Sequence, residues 1–465
     1  MSNEQITHSL EQISERIATT NNRSLKGAIE DLGKAISVGN IGNSTGVAIG
    51  RNIRMIVNQL NLPADTVAGL LGIRNDLRGT LGLDPNRYRI DVLLADKTRE
   101  FVGRTYVFDV ISEFLSGERS GYLVITGDPG LGKSSTLAEY VRRTGCISHF
   151  NIRSIGINTV RQFLENVCTQ MIVDFGLPYS SLPAEAVQDG AFLQRLLKEA
   201  SAKLLPEEQL VIVVDALDEV DLTSQPAGAN ILYLPSTLPD NVYFILTRRD
   251  LELPLVVQSP QRELNLMAHP AENRRDVESY IQHNSERPKL RQWIARQNMT
   301  EQSFISKLAE LSESNFMYLR YVLPELESGV FQNLDIENLP AGLQGYYEDH
   351  WRHMGMTAKP LPRVKIRIIY IMCEVRRPVS RKLISEFATD QVLQVDEESV
   401  QEVLDEWKEF MHKQVTSDGD RFSLYHSSFR DFLHRKRIVQ AAGVSIKDIK
   451  SLIADNLWSE VFGES

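Results

Sequence analysis

A chain of 465 residues is too long for one ordinary domain and predicts three or four. Its composition, 42% hydrophobic and 24% charged, is globular, and a formal net charge of −10 argues against a duplex-DNA coat protein. Three scattered cysteines, Cys146, Cys168 and Cys373, form no CxxC pattern, which argues against a disulfide framework or a zinc site and for a reducing compartment. Met1-Ser2-Asn3-Glu4 opens no apolar signal core and no run has membrane-spanning length, so a cytoplasmic protein without a membrane partner is expected.

Residues 1–95 are predicted to be a mainly helical region. Ile6, Leu10, Ile13 and Ile17 share one helical stripe, and Leu25, Ala28, Ile29, Leu32, Ala35 and Ile36 share a second. The glycine-, asparagine- and serine-rich stretch Gly39–Gly46 should be a loop. Residues 96–120 lead into a segment, 121–270, of different texture. There, short β-branched runs, Leu123-Val124-Ile125, Leu210 to Val214 and Tyr243 to Leu246, alternate with helical patterns, as buried parallel strands of an α/β sheet do. Helices dominate from about Asn273 to Tyr347, giving a helical domain over 271–350. Residues 351–440 then hold an apolar helix (Ile366, Ile369, Tyr370, Cys373) and a Ser380-capped helix (Leu383, Ile384, Phe387). A third helix has Val400, Val403, Leu404, Trp407 and Met411 on one face, and a hairpin is predicted around Ser417-Asp418-Gly419-Asp420. Three helices and a hairpin are the makeup of a winged-helix domain, and residues 441–465 form a helical tail.

Gly127-Asp128-Pro129-Gly130-Leu131-Gly132-Lys133-Ser134, followed by Ser135, fits the phosphate-binding pattern G-x-x-x-x-G-K-[ST]. The glycines let backbone N–H groups turn inward around phosphates. Lys133 supplies a charge for the β- and γ-phosphates, Ser134 offers a hydroxyl to Mg²⁺, and the helix that starts at Lys133 aims its positive end at the same anion. The expected metal carboxylate is Asp215, at the end of a strand neighbouring the loop strand. Asp218 and Glu219 follow it, and an acid there could orient or deprotonate the attacking water, or merely cap the next helix. Of Arg248 and Arg249, which follow the third strand, Arg249 is the favoured γ-phosphate sensor.

The loop, Asp215-Ala216-Leu217-Asp218-Glu219 and Thr247-Arg248-Arg249 together resemble the NACHT branch of the STAND signalling ATPases, relatives of AAA+ proteins. A small residue directly after the magnesium aspartate and an acid three positions beyond it distinguish that branch, and Ala216 and Asp218 fit. The resemblance extends to Phe101-Val102-Gly103-Arg104, which implies an adenine-enclosing segment with Arg104 at the nucleotide. It also takes in Asn273-Arg274-Arg275-Asp276 with Tyr280-Ile281 at the entry to a helical domain, and Asn315-Phe316-Met317-Tyr318 within it. Tyr425-His426-Ser427-Ser428-Phe429-Arg430-Asp431-Phe432-Leu433 resembles the winged-helix signature, and by that resemblance His426 contacts the β-phosphate of ADP and locks a closed state. This chain departs from the family in having Arg248 where Ser or Thr is usual and no clear Gly-x-Pro adenine contact; the C-terminal repeat array usual in the family is not in this sequence, so either this is a truncated version or something else does the sensing.

The resemblance implies an ATP/ADP switch using Mg²⁺, with slow ATP hydrolysis, self-oligomerisation on activation, and a trigger and effector still to be named. A place in prokaryotic defence is a family-level expectation. The rivals are an origin-recognition-like DNA-handling ATPase, disfavoured by Glu402, Asp405, Glu406 and Glu409 on the candidate recognition helix, and a non-hydrolysing nucleotide-stabilised scaffold.

Overall fold

The structure is a computed structural model that describes residues 90–462 apart from 180, 330–334, 376, 417 and 418. The two N-terminal helical stripes and the Gly39–Gly46 loop lie outside the described residues. The chain divides into two compact units. The first comprises the residues up to Asp128, Lys133–Asn151 and Ile157–Glu272, and the second Pro129–Gly132, Ile152–Gly156 and everything from Asn273.

The first unit is α/β. Strands β1 (Gly121–Thr126), β2 (Ile147–Phe150), β3 (Leu210–Asp215), β4 (Val242–Arg248) and β5 (Gln261–Asn265) form one sheet in the order β2-β3-β4-β1-β5. Every pairing in it is parallel. Helices α1 (Ile90–Thr98), α2 (Thr105–Gly117), α3 (Lys133–Thr144), α4 (Val160–Phe175) and α5 (Ala191–Ser201) accompany it. All six residues of β1 are buried, the mark of a strand covered on both faces. The start of α4 is fixed by a capping box, in which Thr159 and Gln162 satisfy each other's backbone N–H groups.

Two expectations need correcting. Asp215 ends β3, but β3 is not the neighbour of the loop strand β1, because β4 lies between them. The carboxyl ends of parallel strands share one edge, so Asp215 reaches the loop region along that edge. Strands β2 and β5 also went unforeseen. β5 is an exposed edge strand with Leu264 as its one buried residue, so no apolar run marks it. β2 carries the buried polar pair Ser148 and His149 in its middle.

From α6 (Pro270–Ser285) onward the second unit is helical, through α7 (Pro288–Arg296), α8 (Glu301–Leu311), α9 (Phe316–Ser328) and α10 (Gly342–His353). There follow α11 (Arg363–Glu374), α12 (Arg381–Ala388), α13 (Glu397–Glu406), an antiparallel pair β6 (Met411–Thr416) and β7 (Gly419–Leu424), then α14 (Ser427–Leu433), α15 (Lys436–Ala442) and α16 (Ile446–Phe462). The strands flank the expected hairpin turn, of which Ser417 and Asp418 lie outside the described residues. The third helix is shorter than its apolar spacing implied. It stops at Glu406, Trp407 caps it, and Met411 opens β6. Trp407, Phe410 and Met411 are all buried, so inward-facing residues on either side of a turn mimic one continuous helical stripe. One apolar cluster runs from Val277 to Ile449, and within it Tyr321 stacks on Tyr346 and Phe410 on Phe429, while Tyr347 meets Tyr321 edge-on and Phe410 at a tilt. Among the described residues no helix is long and apolar enough to cross a membrane.

Candidate functional site

At the carboxyl edge of the sheet, β1 ends at Thr126 and α3 begins at Lys133, so Gly127 to Gly132 form the strand-to-helix turn that phosphate loops require. Gly130 and Gly132 have φ of +88° and +80°, the left-handed region that a side chain would strain. The Lys133 ammonium folds back over the loop, donating to the carbonyls of Gly127 at 2.6 Å and Asp128 at 3.0 Å. Burial holds its pKa below the usual lysine value, while Asp218 and Asp215 work in the opposite direction and Arg249 adds to the depression. A half-buried ammonium, two carboxylates and a guanidinium thus act on one another at this edge.

Asp215 is buried, which raises its pKa, and hydrogen bonds from Thr247 and Ser134 oppose that rise, as do Lys97 and Lys133. The Thr247 hydroxyl donates to Asp215 Oδ1 and accepts from the Ala216 N–H at 2.8 Å. Ala216 has φ of +53°, so the chain turns sharply after the strand, and a methyl side chain crowds such a turn little. Asn151 Nδ2 donates to the Asp215 carbonyl at 2.7 Å, fixing the backbone from the β2 side. Asp218 and Glu219 lie in a single 3₁₀ turn, Leu217–Glu219, rather than at the head of a helix. The Asp218 carboxylate pairs with Arg249 Nε at 2.9 Å and accepts from the Arg249 N–H at 3.1 Å. Arg248 instead faces Glu263 at 3.4 Å and caps the Leu251 carbonyl. Ser134 and Ser135 are half-buried in the first turn of α3.

Ser134, Lys133, Asp215, Asp218 and Arg249 therefore come together, and the set suits a Mg²⁺–phosphate group. Ser134 is among the groups that oppose the rise of the Asp215 pKa, so one oxygen donor lies near the other, and Lys133 stands by with positive charge. Arg104 is 1% exposed with φ of +61°, and its guanidinium donates to the Tyr106 hydroxyl at 2.9 Å.

In the second unit, the loop tip Pro129–Gly132 is held by the start of α9. Asn315 caps that helix, accepting from the N–H groups of Met317 and Tyr318, while its Nδ2 donates to the Pro129 carbonyl at 2.9 Å. The Phe316 N–H donates to the Gly130 carbonyl at 2.9 Å. A Cβ on Gly130 would come within 2.2 Å of the Asn315 amide oxygen. His426 caps α14, with Nδ1 accepting from the Ser428 N–H at 3.2 Å and lying 2.5 Å from the Ser428 hydroxyl. Sequence reasoning singled out neither Thr247's bond to Asp215 nor Asn315's hold on the loop, since both join residues distant along the chain.

Neither a scan against protein-family models nor a search of the curated proteins returned a match to this chain.

Proposed function

We propose that this chain is an adenine-nucleotide switch of the NACHT type, holding ATP or ADP with Mg²⁺ at the Gly127–Ser135 loop. The observation that carries the reading is the bond of Thr247 to a buried Asp215, which ends β3 at the same edge as the glycine loop, while Lys133 arches over the loop carbonyls. The glycine turn and the amino end of α3 bind the phosphates, and Lys133 exchanges its two carbonyl partners for phosphate oxygens. Ser134 and Asp215 would hold Mg²⁺, which would supply neutralisation of the phosphate charge.

Arg249 reports the γ-phosphate. Its guanidinium is held by Asp218, and a γ-phosphate competes with that carboxylate for it. Asp218, with Glu219 beside it, can then accept a proton from the attacking water, and by the resemblance stated above the hydrolysis is slow and regulatory. By the resemblance stated above, Arg104 serves the adenine side and His426 the β-phosphate of ADP, on a winged helix built from α11, α12, α13 and the β6–β7 pair. Glu402, Asp405 and Glu406 are exposed on α13, which disfavours duplex DNA as the partner of that face.

ATP in place of ADP is expected to open the chain and drive self-association, because a ligand shifts an equilibrium only through contacts that differ between states. Light scattering of the full chain with Mg·ADP and then with a non-hydrolysable Mg·ATP analogue tests this directly. A monomer with the first and a defined oligomer with the second is expected. Equal mass with both, at saturating nucleotide, would contradict the switch. Phosphate release that persists in Asp215→Ala would remove hydrolysis from this site.

A further inference from the structure

The helical unit contains a second cluster of potential ligands that the nucleotide reading does not use. Glu325 on α9, His350 on α10 and Glu409, in the turn between α13 and β6, each offer a ligand atom, all within 4.8 Å of one another. Glu325 is 6% exposed, and its Oε2 is buried with no hydrogen-bond partner; the same is true of His350 Nε2. Tyr346 donates its one hydroxyl proton to Glu325 Oε1 at 2.7 Å, which orients that carboxylate, and its oxygen lies 3.3 Å from Glu409 Oε2.

Two carboxyl groups this close need either a shared proton or a cation between them. A shared proton would join Glu325 to Glu409 and leave His350 Nε2 bare in an aromatic wall, since the ring packs edge-on to Trp407 and Phe410. A single cation satisfies both carboxylates and the imidazole together. We propose that Glu325, His350 and Glu409 bind one divalent first-row transition metal ion, of the zinc class, which pins α9, α10 and the turn after α13 to one another.

Ligand distances of about 2.1 Å put tetrahedral donors roughly 3.4 Å apart and opposite octahedral donors about 4.2 Å apart, so small side-chain rotations close the set. Mixed oxygen and imidazole donors select zinc-like ions over Mg²⁺ or Ca²⁺, which favour all-oxygen sets. Exposed Glu409 gives the ion an entry from solvent, and Tyr346 supplies an outer hydrogen bond to the Glu325 carboxylate. The other Cys/Glu/His group, Cys373, Glu374 and His434, is less suited. Its carboxylate is already paired with His434 at 2.5 Å and Lys450 at 3.5 Å, and Arg430 lies alongside.

The test uses the full chain stripped of metal and titrated with Zn²⁺ and Co²⁺ in excess Mg²⁺. One ion per chain is expected, with a Co²⁺ visible spectrum of oxygen and nitrogen ligation and a raised melting temperature. Glu409→Gln, at the exposed edge, and Glu325→Gln, which keeps the buried volume, should each weaken binding at least about 10-fold. Lys133→Ala should bind the ion as wild type does, which separates this site from the nucleotide site. No binding to wild type, equal binding in Glu409→Gln, a thiolate-to-cobalt charge-transfer band implicating Cys373, or loss of the ion in Lys133→Ala would each overturn the proposal.

Discussion

Thr247 carries no charge, yet its hydroxyl both donates to Asp215 and accepts from Ala216, so the Asp215 carboxylate and the strained turn behind it depend on one side chain. Thr247→Val keeps the shape and removes both bonds at a cost of about 1–3 kcal/mol, and Mg²⁺-dependent nucleotide affinity should fall roughly 10-fold. Unchanged affinity in a calorimetric titration would mean that Thr247 does not position Asp215. Arg249 allows a sharper comparison. In Arg249→Ala, ADP affinity should stay near wild type while any preference for ATP is lost; equal weakening of both nucleotides would assign Arg249 to general electrostatics.

His149, in the core of the first unit, makes a pH prediction. Burial lowers its pKa from 6.5 to about 3, and Asn166 Nδ2 lies 3.1 Å from its Nδ1. Between those two values the unfolded chain binds the proton and the folded chain does not. The contribution of the neutral ring to stability is therefore complete above pH 6.5 and is lost progressively as pH falls toward 3. Between pH 6.5 and 5 this is on the order of 2 kcal/mol. Denaturant unfolding at those two pH values should show His149→Gln losing less stability than wild type on acidification. Identical losses would show that the ring is not held neutral.

Among the elements, those that carry the site were the legible ones. β1, β3 and β4 are central and covered on both faces, so they read as continuous apolar runs, and the glycines and Lys133 between β1 and α3 follow a fixed spacing. β2 hides for a physical reason. It is an edge strand whose Ser148 N–H and carbonyl are satisfied by Gln170 and Asn166 from α4, so polar residues sit where a buried strand usually carries an apolar run. The position of β4 between β1 and β3 could not be read from spacing, since strand order depends on crossovers rather than on any one segment. The role of Asn315 was equally invisible, because Pro129 lies 186 residues away. Asn315→Ala should cost about 1 kcal/mol as a lost helix cap, with a further loss from the unpaired Pro129 carbonyl. Gly130→Ala should be worse, because its left-handed φ and the clash with the Asn315 amide act together. Thermal unfolding of both variants tests the ranking, and equal melting temperatures would argue against a tight seat for the loop tip.

At the scale of the molecule, the change of texture near Asn273 marks the point where the parallel sheet gives way to helices, and it was visible as the end of β-branched runs. The helical unit was less legible, since its aromatic core and the Glu325–His350–Glu409 cluster draw on residues spread over several helices. The nucleotide reading rests on the grip of one loop, one lysine and one buried carboxylate. The most direct test is a calorimetric titration of the purified full chain with ADP, in the presence and absence of Mg²⁺, alongside Lys133→Ala. Binding of one nucleotide per chain is expected, strengthened by Mg²⁺ and weakened by about 100-fold in the variant, the loss of charge-assisted bonds worth about 3 kcal/mol. A wild-type chain that takes up no nucleotide, or a variant that binds it equally well, would contradict the assignment.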